Sequence, residues 1–220
     1  MSDLSRSSSL PLSDRAPVPH KLRQMPAAWL QQRLKLVPAS PMLRDRPSSL
    51  VLLDRLERAA ETDAALCLSA HALPPREAVW WACMCARSTA PAAALDADSA
   101  AGHAAEDWVR SPGDAARARA YRLAHQAKFQ SPEAMAAMAA FWTGAADAMP
   151  VTAETARAQQ GRSVENAVRM AAVRGPVHAR ALRVHAFLQS ARDIAAGGAG
   201  RIGAGSGAGP GPGSGAETEN

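Results

Sequence analysis

His71-Ala-Leu-Pro-Pro-Arg-Glu-Ala-Val-Trp-Trp-Ala-Cys-Met-Cys-Ala-Arg87 is the window that departs most from the alanine-rich average of the chain. Pro74-Pro75 stops whatever helix precedes it and supplies the fixed φ of the next first turn. Glu77 falls in that turn, where a carboxylate favours the helix dipole. Trp80 and Trp81 point about 100° apart around the axis, so both can be buried only if other helices surround this one. The segment therefore reads as a packing helix in a multi-helix body, with one tryptophan reaching the surface if the helix has a wet face.

Composition agrees with that reading. The chain has 220 residues, 47% of them hydrophobic and only 4% aromatic, so its core must be built from Ala, Leu, Val and Met. Alanine is the strongest helix former, and β-branched residues are sparse, so an all-α fold with closely approaching helices is expected. Residues 1–46 carry eight Lys or Arg against three Asp, whereas residues 47–220 carry seventeen of each sign. The basic pI is thus a property of the N-terminal segment, and the remainder is neutral as a whole. Within it, residues 155–195 hold seven basic and two acidic side chains, a local patch suited to anionic partners. Three cysteines, no apolar run near the start and no stretch of about 18 apolar residues point to a soluble cytoplasmic protein with reduced thiols and no membrane insertion.

Working outward from the Pro-Pro helix, start and stop signals recur at short intervals. Pro47-Ser-Ser opens a helix with Leu50, Leu53, Leu56 and Ala60 on one stripe, and Thr62 or Asp63 caps the next, through Ala72. After the Trp-Trp helix comes one spanning about Asp98–Arg110. Ser111-Pro112 and Ser131-Pro132 each place a capping hydroxyl before an N1 proline. The helix after Ser131 is expected to run to about Ala148 and to bury Met135, Met138, Trp142 and Ala145. Ser163 is expected to cap a helix through Arg174, and Gly175-Pro176 to start a last one with Val177, Ala181, Val184, Leu188 and Ala191 inward. About eight helices joined by short connections make an antiparallel bundle or a stack of helical hairpins.

This all-helical domain is placed at 47–196. Residues 1–46 read as a flexible Pro/Ser/Arg-rich arm with a short docking helix at 27–37, containing Trp29 and Leu30, and residues 197–220 as a disordered Gly-rich tail. Gly198-Ala-Gly200-Arg-Ile-Gly203 matches G-x-G-x-x-G formally, but it follows a helix where a dinucleotide loop needs a strand.

No credible catalytic constellation emerges. Cys67 and His71 on one helix, with Cys83 and Cys85 on the next, suggest zinc by residue type. Cys83 and Cys85 lie about 200° apart around their helix and cannot face one ion, so no metal site and no cofactor are assigned. Cys83, His71 and Glu77 can be drawn as a nucleophilic set, but an alanine-lined helix offers nothing to depress a thiol pKa. Trp80, Trp81, Arg76, Glu77 and Trp29 are the candidates for partner contact, and Arg169, Arg180 and Arg183 for anion binding. Nucleic acid is disfavoured because Phe187 stands alone among the basic helices.

Residues Leu73–Arg87 resemble an uncharacterised family of bacterial all-helical proteins that carries a Leu-Pro-x-Arg-Glu-Ala-Val-Trp-Trp-Ala-Cys segment. Some of its members are encoded near type VI secretion genes. The resemblance covers residues 47 to about 195 and transfers no active site. It implies an accessory or adaptor role beside a secretion apparatus. The resulting expectation is a non-enzymatic interaction protein with a protein partner; the alternatives are a small Cys/His-dependent hydrolase or metal-binding enzyme, and a nucleic-acid-binding protein.

Overall fold

The structure, a computed structural model, describes residues 20–203. Expectations that fall on residues 1–19 and 204–220 lie outside the described residues. The elements are α1 (Ala27–Leu34), α2 (Ser49–Arg58), α3 (Thr62–Ala72), α4 (Pro75–Ser88), α5 (Asp96–Arg110), α6 (Asp114–Gln126), α7 (Pro132–Trp142), the single turn α8 (Ala145–Ala148), α9 (Ala153–Val173) and α10 (Arg180–Ala195). Short 3-10 turns occupy Pro41–Leu43 and Val177–Ala179, and the described residues contain no strand. The fold is all-α, as composition dictates.

α7 is the pivot of the packing, lying against α4, α5, α6 and α9. Its fully buried residues are Ala134, Ala136, Ala137, Ala139 and Ala140, while Met135, Met138 and Trp142 are only half-buried. This reverses the expected stripe of Met135, Met138 and Trp142, although Ala145 is buried. A helix with neighbours on most sides needs small residues where axes approach, and its long side chains fill the gaps between neighbours. α4 is likewise surrounded, by α5, α7, α9 and α10. Trp81 is fully enclosed and donates its indole N–H to the Phe187 carbonyl at 2.8 Å.

Local caps decide several starts. Ser48, Ser131 and Thr152 each accept a hydrogen bond from the backbone N–H three residues on, opening α2, α7 and α9. Each such cap contributes about 1 kcal/mol. Four boundaries differ from the sequence reading. α9 begins after Thr152 and runs 21 residues through Ser163, which is not a cap because its hydroxyl donates to the Gln159 carbonyl one turn back. α6 starts at Asp114 behind Gly113, because Ser111 instead closes α5, its N–H bonding to the Asp107 carbonyl. α7 stops at Trp142, where Thr143 bonds back to Ala140 and the Arg117 guanidinium occupies the space over Gly144. At the last helix Pro176 leads into a 3-10 turn, leaving Val177 88% exposed; the inward face is Val184, Phe187, Leu188, Ala191, Ile194 and Ala195.

The segment preceding the body is packed where it is described. Leu22, Met25 and Leu30 are buried, and the Arg23 N–H bonds to the Ala72 carbonyl while the Lys21 N–H bonds to that of Ala195. Ser49 and Gln24 add side-chain bonds across the same junction. The 27–37 helix is real over Ala27–Leu34 and docks on the body against α3. The start of the Gly-rich segment also folds back, the Gly200 N–H donating to Asp193 and its carbonyl accepting from Ser190. A Cβ at Gly200 would lie 2.4 Å from the Ile194 side chain, so glycine there permits close packing and has nothing to do with a phosphate loop.

Candidate functional site

The residues proposed from sequence for partner or anion contact are engaged internally. Trp80 is half-buried, its N–H donating to the Ala199 carbonyl at 2.8 Å with the Arg87 guanidinium over its ring. Trp81 is enclosed and has no surface to offer. Arg76 donates to the Val109 carbonyl and Glu77 pairs with Lys21. Burial acts to raise the Glu77 carboxyl, but the Lys21 hydrogen bond, the backbone N–H of Glu77 itself and the charges of Lys21 and Arg76 together hold the group below its usual range. Arg180 and Arg169 face Asp63, and Arg183 donates to the Ala172 and Pro176 carbonyls. Much of the basic surface of the last helices is therefore used to fasten them to α3 and to their own turn.

Trp29 leads to a polar centre. Its ring packs at 5.0 Å from the His71 ring. Cys67 and His71, one turn apart on α3, face Glu165 on α9, and the ligand atoms of all three lie within 4.8 Å of one another. The Cys67 Sγ is 3.5 Å from Glu165 Oε2, and the His71 Nε2 is 3.6 Å from the same oxygen. Arg33 of α1 donates to that oxygen at 2.6 Å, and Arg169 lies 3.1 Å from the other. Burial would raise the Glu165 carboxyl, but His71, Arg33, Arg169 and the Cys67 thiol together hold it at about 2. The Cys67 thiol is pushed up to about 12, by burial first and by the adjacent carboxylate second. Such a thiol is protonated at neutral pH and is no free nucleophile.

The sequence paired Cys67 and His71 with Cys83, and the structure separates them. Cys83 lines a different cavity, of about 150 Å³, beside Glu106 and Glu133. Glu133 receives both guanidinium nitrogens of Arg174 at 2.7 Å, and Glu106 is held by Arg87 and Arg110. Burial pushes the Cys83 and Cys85 thiols well above their ordinary value as well. With Glu77 turned to Lys21, the drawn Cys83, His71 and Glu77 set does not assemble.

One surface feature escaped sequence reading altogether. Phe129, His125, Tyr121, Phe141 and Trp142 form a continuous row of rings across α6 and the end of α7, with neighbouring centroids 4.8 to 6.5 Å apart. Tyr121 and Phe129 are exposed by 40% and 36%. Arg122 and Lys128 stand exposed beside them and make no ion pair among the described residues. Lys128 and Phe129 both adopt left-handed backbone, with φ of 55° and 56°. Non-glycine residues in that region are strained by about 1 kcal/mol or more each. The hints in the sequence are the i, i+4, i+8 spacing of Tyr121, His125 and Phe129 and the adjacent Phe141-Trp142 pair.

Residues 52–195 match the sequence model of a family of unknown function (DUF6931). The chain belongs to this family. No curated protein and no solved structure matches the chain. The part shared with DUF6931 runs from Leu52 in α2 to Ala195 in α10. It contains Cys67, His71 and Glu165 and the whole aromatic row, whereas Arg33 and Trp29 lie outside it. Among the described residues no helix is long and apolar enough to cross a membrane.

Proposed function

We propose that the protein is a non-enzymatic interaction module that presents the Tyr121–Phe129–Phe141–Trp142 row to an acidic, apolar-anchored segment of a protein partner. The observation that carries this reading is the row itself. The chain has nine aromatic residues; Trp81, Trp108 and Phe187 are buried in a core otherwise built mostly from alanine and leucine, and four others gather at one partly exposed edge. Tyr, Trp, Phe and Arg are enriched at the centres of protein interfaces, and charged side chains such as lysine belong to their rims. The strained Lys128-Phe129 turn holds one ring and one ammonium at that edge, in a conformation that glycine or asparagine adopts more cheaply.

An acidic protein segment suits the surface better than nucleic acid. The rings are tilted against one another by 40° or more, so they offer edges to a partner instead of parallel faces for stacked bases. The row itself adds only Arg122 and Lys128 as cations without an ion pair among the described residues, on a body of zero formal charge, which gives little counterion release. The setting beside a type VI secretion apparatus is part of this proposal and rests on the Leu73–Arg87 resemblance alone. A cytoplasmic location is supported by three buried free thiols.

A photo-crosslinking amino acid at position 121 or 129 of the full chain, expressed in its native cell, tests the reading. One shared crosslinked protein is expected at both positions and none at exposed Leu95, with loss when Arg122 and Lys128 are changed to Glu. No crosslink, or the same products at Leu95, refutes the assignment; crosslinks to RNA or DNA replace it with nucleic-acid binding.

A further inference from the structure

We propose that Cys67, His71 and Glu165 form a binding site for a thiophilic divalent cation of the zinc class. These are three of the donor types zinc accepts, and tetrahedral bonds of about 2.0 to 2.3 Å place ligand atoms about 3.3 to 3.6 Å apart. Two edges already have that length, at 3.5 Å from Cys67 Sγ and 3.6 Å from His71 Nε2 to Glu165 Oε2. The i, i+4 pair on α3 and the opposing residue on α9 are carried on regular helices with all three ligand atoms within 4.8 Å of one another, so closing on one ion needs side-chain adjustment but no movement of the elements.

An independent observation points the same way. His71 is 94% buried by its 6% exposure, yet its Nε2 has no hydrogen-bond partner, and the atom faces the Glu165 carboxylate. Burying an unpaired polar nitrogen costs about 1–3 kcal/mol, which a bound cation removes. The fold also makes room for this imidazole, because a Cβ at Gly161 would lie 2.3 Å from its Nδ1. Three protein ligands leave a fourth position for a water.

Arg33 and Arg169 supply the positive charge of the site as it stands, and a cation must displace one of them from Glu165. Arg33 is the one able to leave, since its side chain is 32% exposed and sits on the short α1. On binding, Glu165 is already ionised, the Cys67 proton passes to solvent, and thiolate plus carboxylate neutralise the two charges of the ion. The site thereby competes with the Arg33 contact that helps fasten α1. This inference does not depend on the aromatic row, and neither proposal falls with the other.

The test titrates the purified full chain with Co²⁺ as the zinc probe, then with Zn²⁺ in competition. One ion per chain and a thiolate-to-cobalt charge-transfer band are expected, displaced by Zn²⁺. The band should vanish in Cys67→Ser and persist in Cys83→Ser, with helical content checked by circular dichroism. Arg33→Gln should tighten binding by about tenfold or more, an increase that a damaged fold does not produce. Absence of the band in both the native chain and Arg33→Gln, or its survival in Cys67→Ser, overturns the site.

Discussion

Gly161 lies in the interior of the 21-residue α9, where replacing glycine by alanine ordinarily stabilises by about 1 kcal/mol. The structure demands the opposite outcome. The new Cβ would fall 2.3, 2.5 and 2.9 Å from the Nδ1, Cε1 and Cγ of His71, so the ring as a whole must move and not merely its tip. That ring is buried between Trp29 and Glu165 and has nowhere to swing. Forcing an extra methyl into a packed site costs about 1–3 kcal/mol, to which the weakened His71–Glu165 contact adds. We predict that Gly161→Ala lowers the unfolding free energy by about 1–2 kcal/mol, a fall in Tm of about 2–8 °C for a body of this size. Urea unfolding followed by circular dichroism measures it. In a His71→Ala background the obstacle is gone, so the same substitution should stabilise by about 1 kcal/mol, and the cycle should show a coupling of about 2–3 kcal/mol. A stabilising Gly161→Ala in the otherwise native chain, or a cycle with no coupling, would show that α3 and α9 do not meet as described.

Three further outcomes follow from the same contacts. The Glu165 carboxyl is depressed from 4.5 to about 2, so it contributes stability that is present above pH 4.5 and lost as pH falls toward 2. Allowing for solvent screening this is on the order of 2 kcal/mol, and Glu165→Gln should flatten the acid limb of the stability-against-pH curve in that window; an unchanged limb contradicts the assignment. A chain beginning at residue 47 loses buried Leu22, Met25 and Leu30 and the Arg33 contact, and should melt several degrees lower or aggregate, since each buried side chain is worth about 1.5–3 kcal/mol; equal thermal stability of the shortened chain refutes this. Arg174→Ala strips the buried Glu133 of both its hydrogen bonds and should cost about 3–5 kcal/mol in denaturant unfolding, whereas Arg180→Ala, which loses an exposed pair, should cost less than about 1; equal effects would sink the distinction.

The legible parts of the fold are those whose determinants are local. Ser131-Pro132 reads as a helix start because the hydroxyl, the proline and the N–H they serve lie within three residues. Pro74-Pro75 is legible for the same reason. Ser163 misleads because one residue type caps a helix or bonds back inside it, and only the path of the backbone before it tells which. The reason for a glycine at 161, inside α9, is not legible either: the ring that leaves no room for a Cβ there belongs to a histidine 90 positions earlier in the chain. Glu165 is silent in sequence, since its partners Cys67 and Arg33 stand 98 and 132 residues away. The basic surplus of the last helices is visible, but Asp63, which faces two of those arginines, belongs to another helix. The aromatic row is hidden similarly, because Tyr121 and Phe141 become neighbours only when α6 folds against α7.

A core walled with alanine raises the question of what fixes the register of its helices. On the alanine face of α7 a slip against its neighbours sets one methyl where another stood, so that face by itself discriminates registers weakly and leaves the task to the larger side chains and to charge. The buried carboxylates discriminate strongly, because each has a small set of guanidinium partners and a displaced one is left unpaired at several kcal/mol. Glu133 ties α7 to the end of α9, Glu106 ties α5 to α4, and Glu165 ties α9 to α1. Several of the predicted contact residues are used in the same way, Glu77 pairing with Lys21 and Arg169 and Arg180 with Asp63: in this chain, charge is used to locate helices. It follows that the aromatic row, built half on α6 and half on α7, inherits its geometry from Glu133 and Arg174, which place α7 without touching a ring of that row. Loss of that pair would reach the row through the position of α7, and the exposed edge formed by Tyr121 and Phe129 would lose the support of Phe141 beneath it.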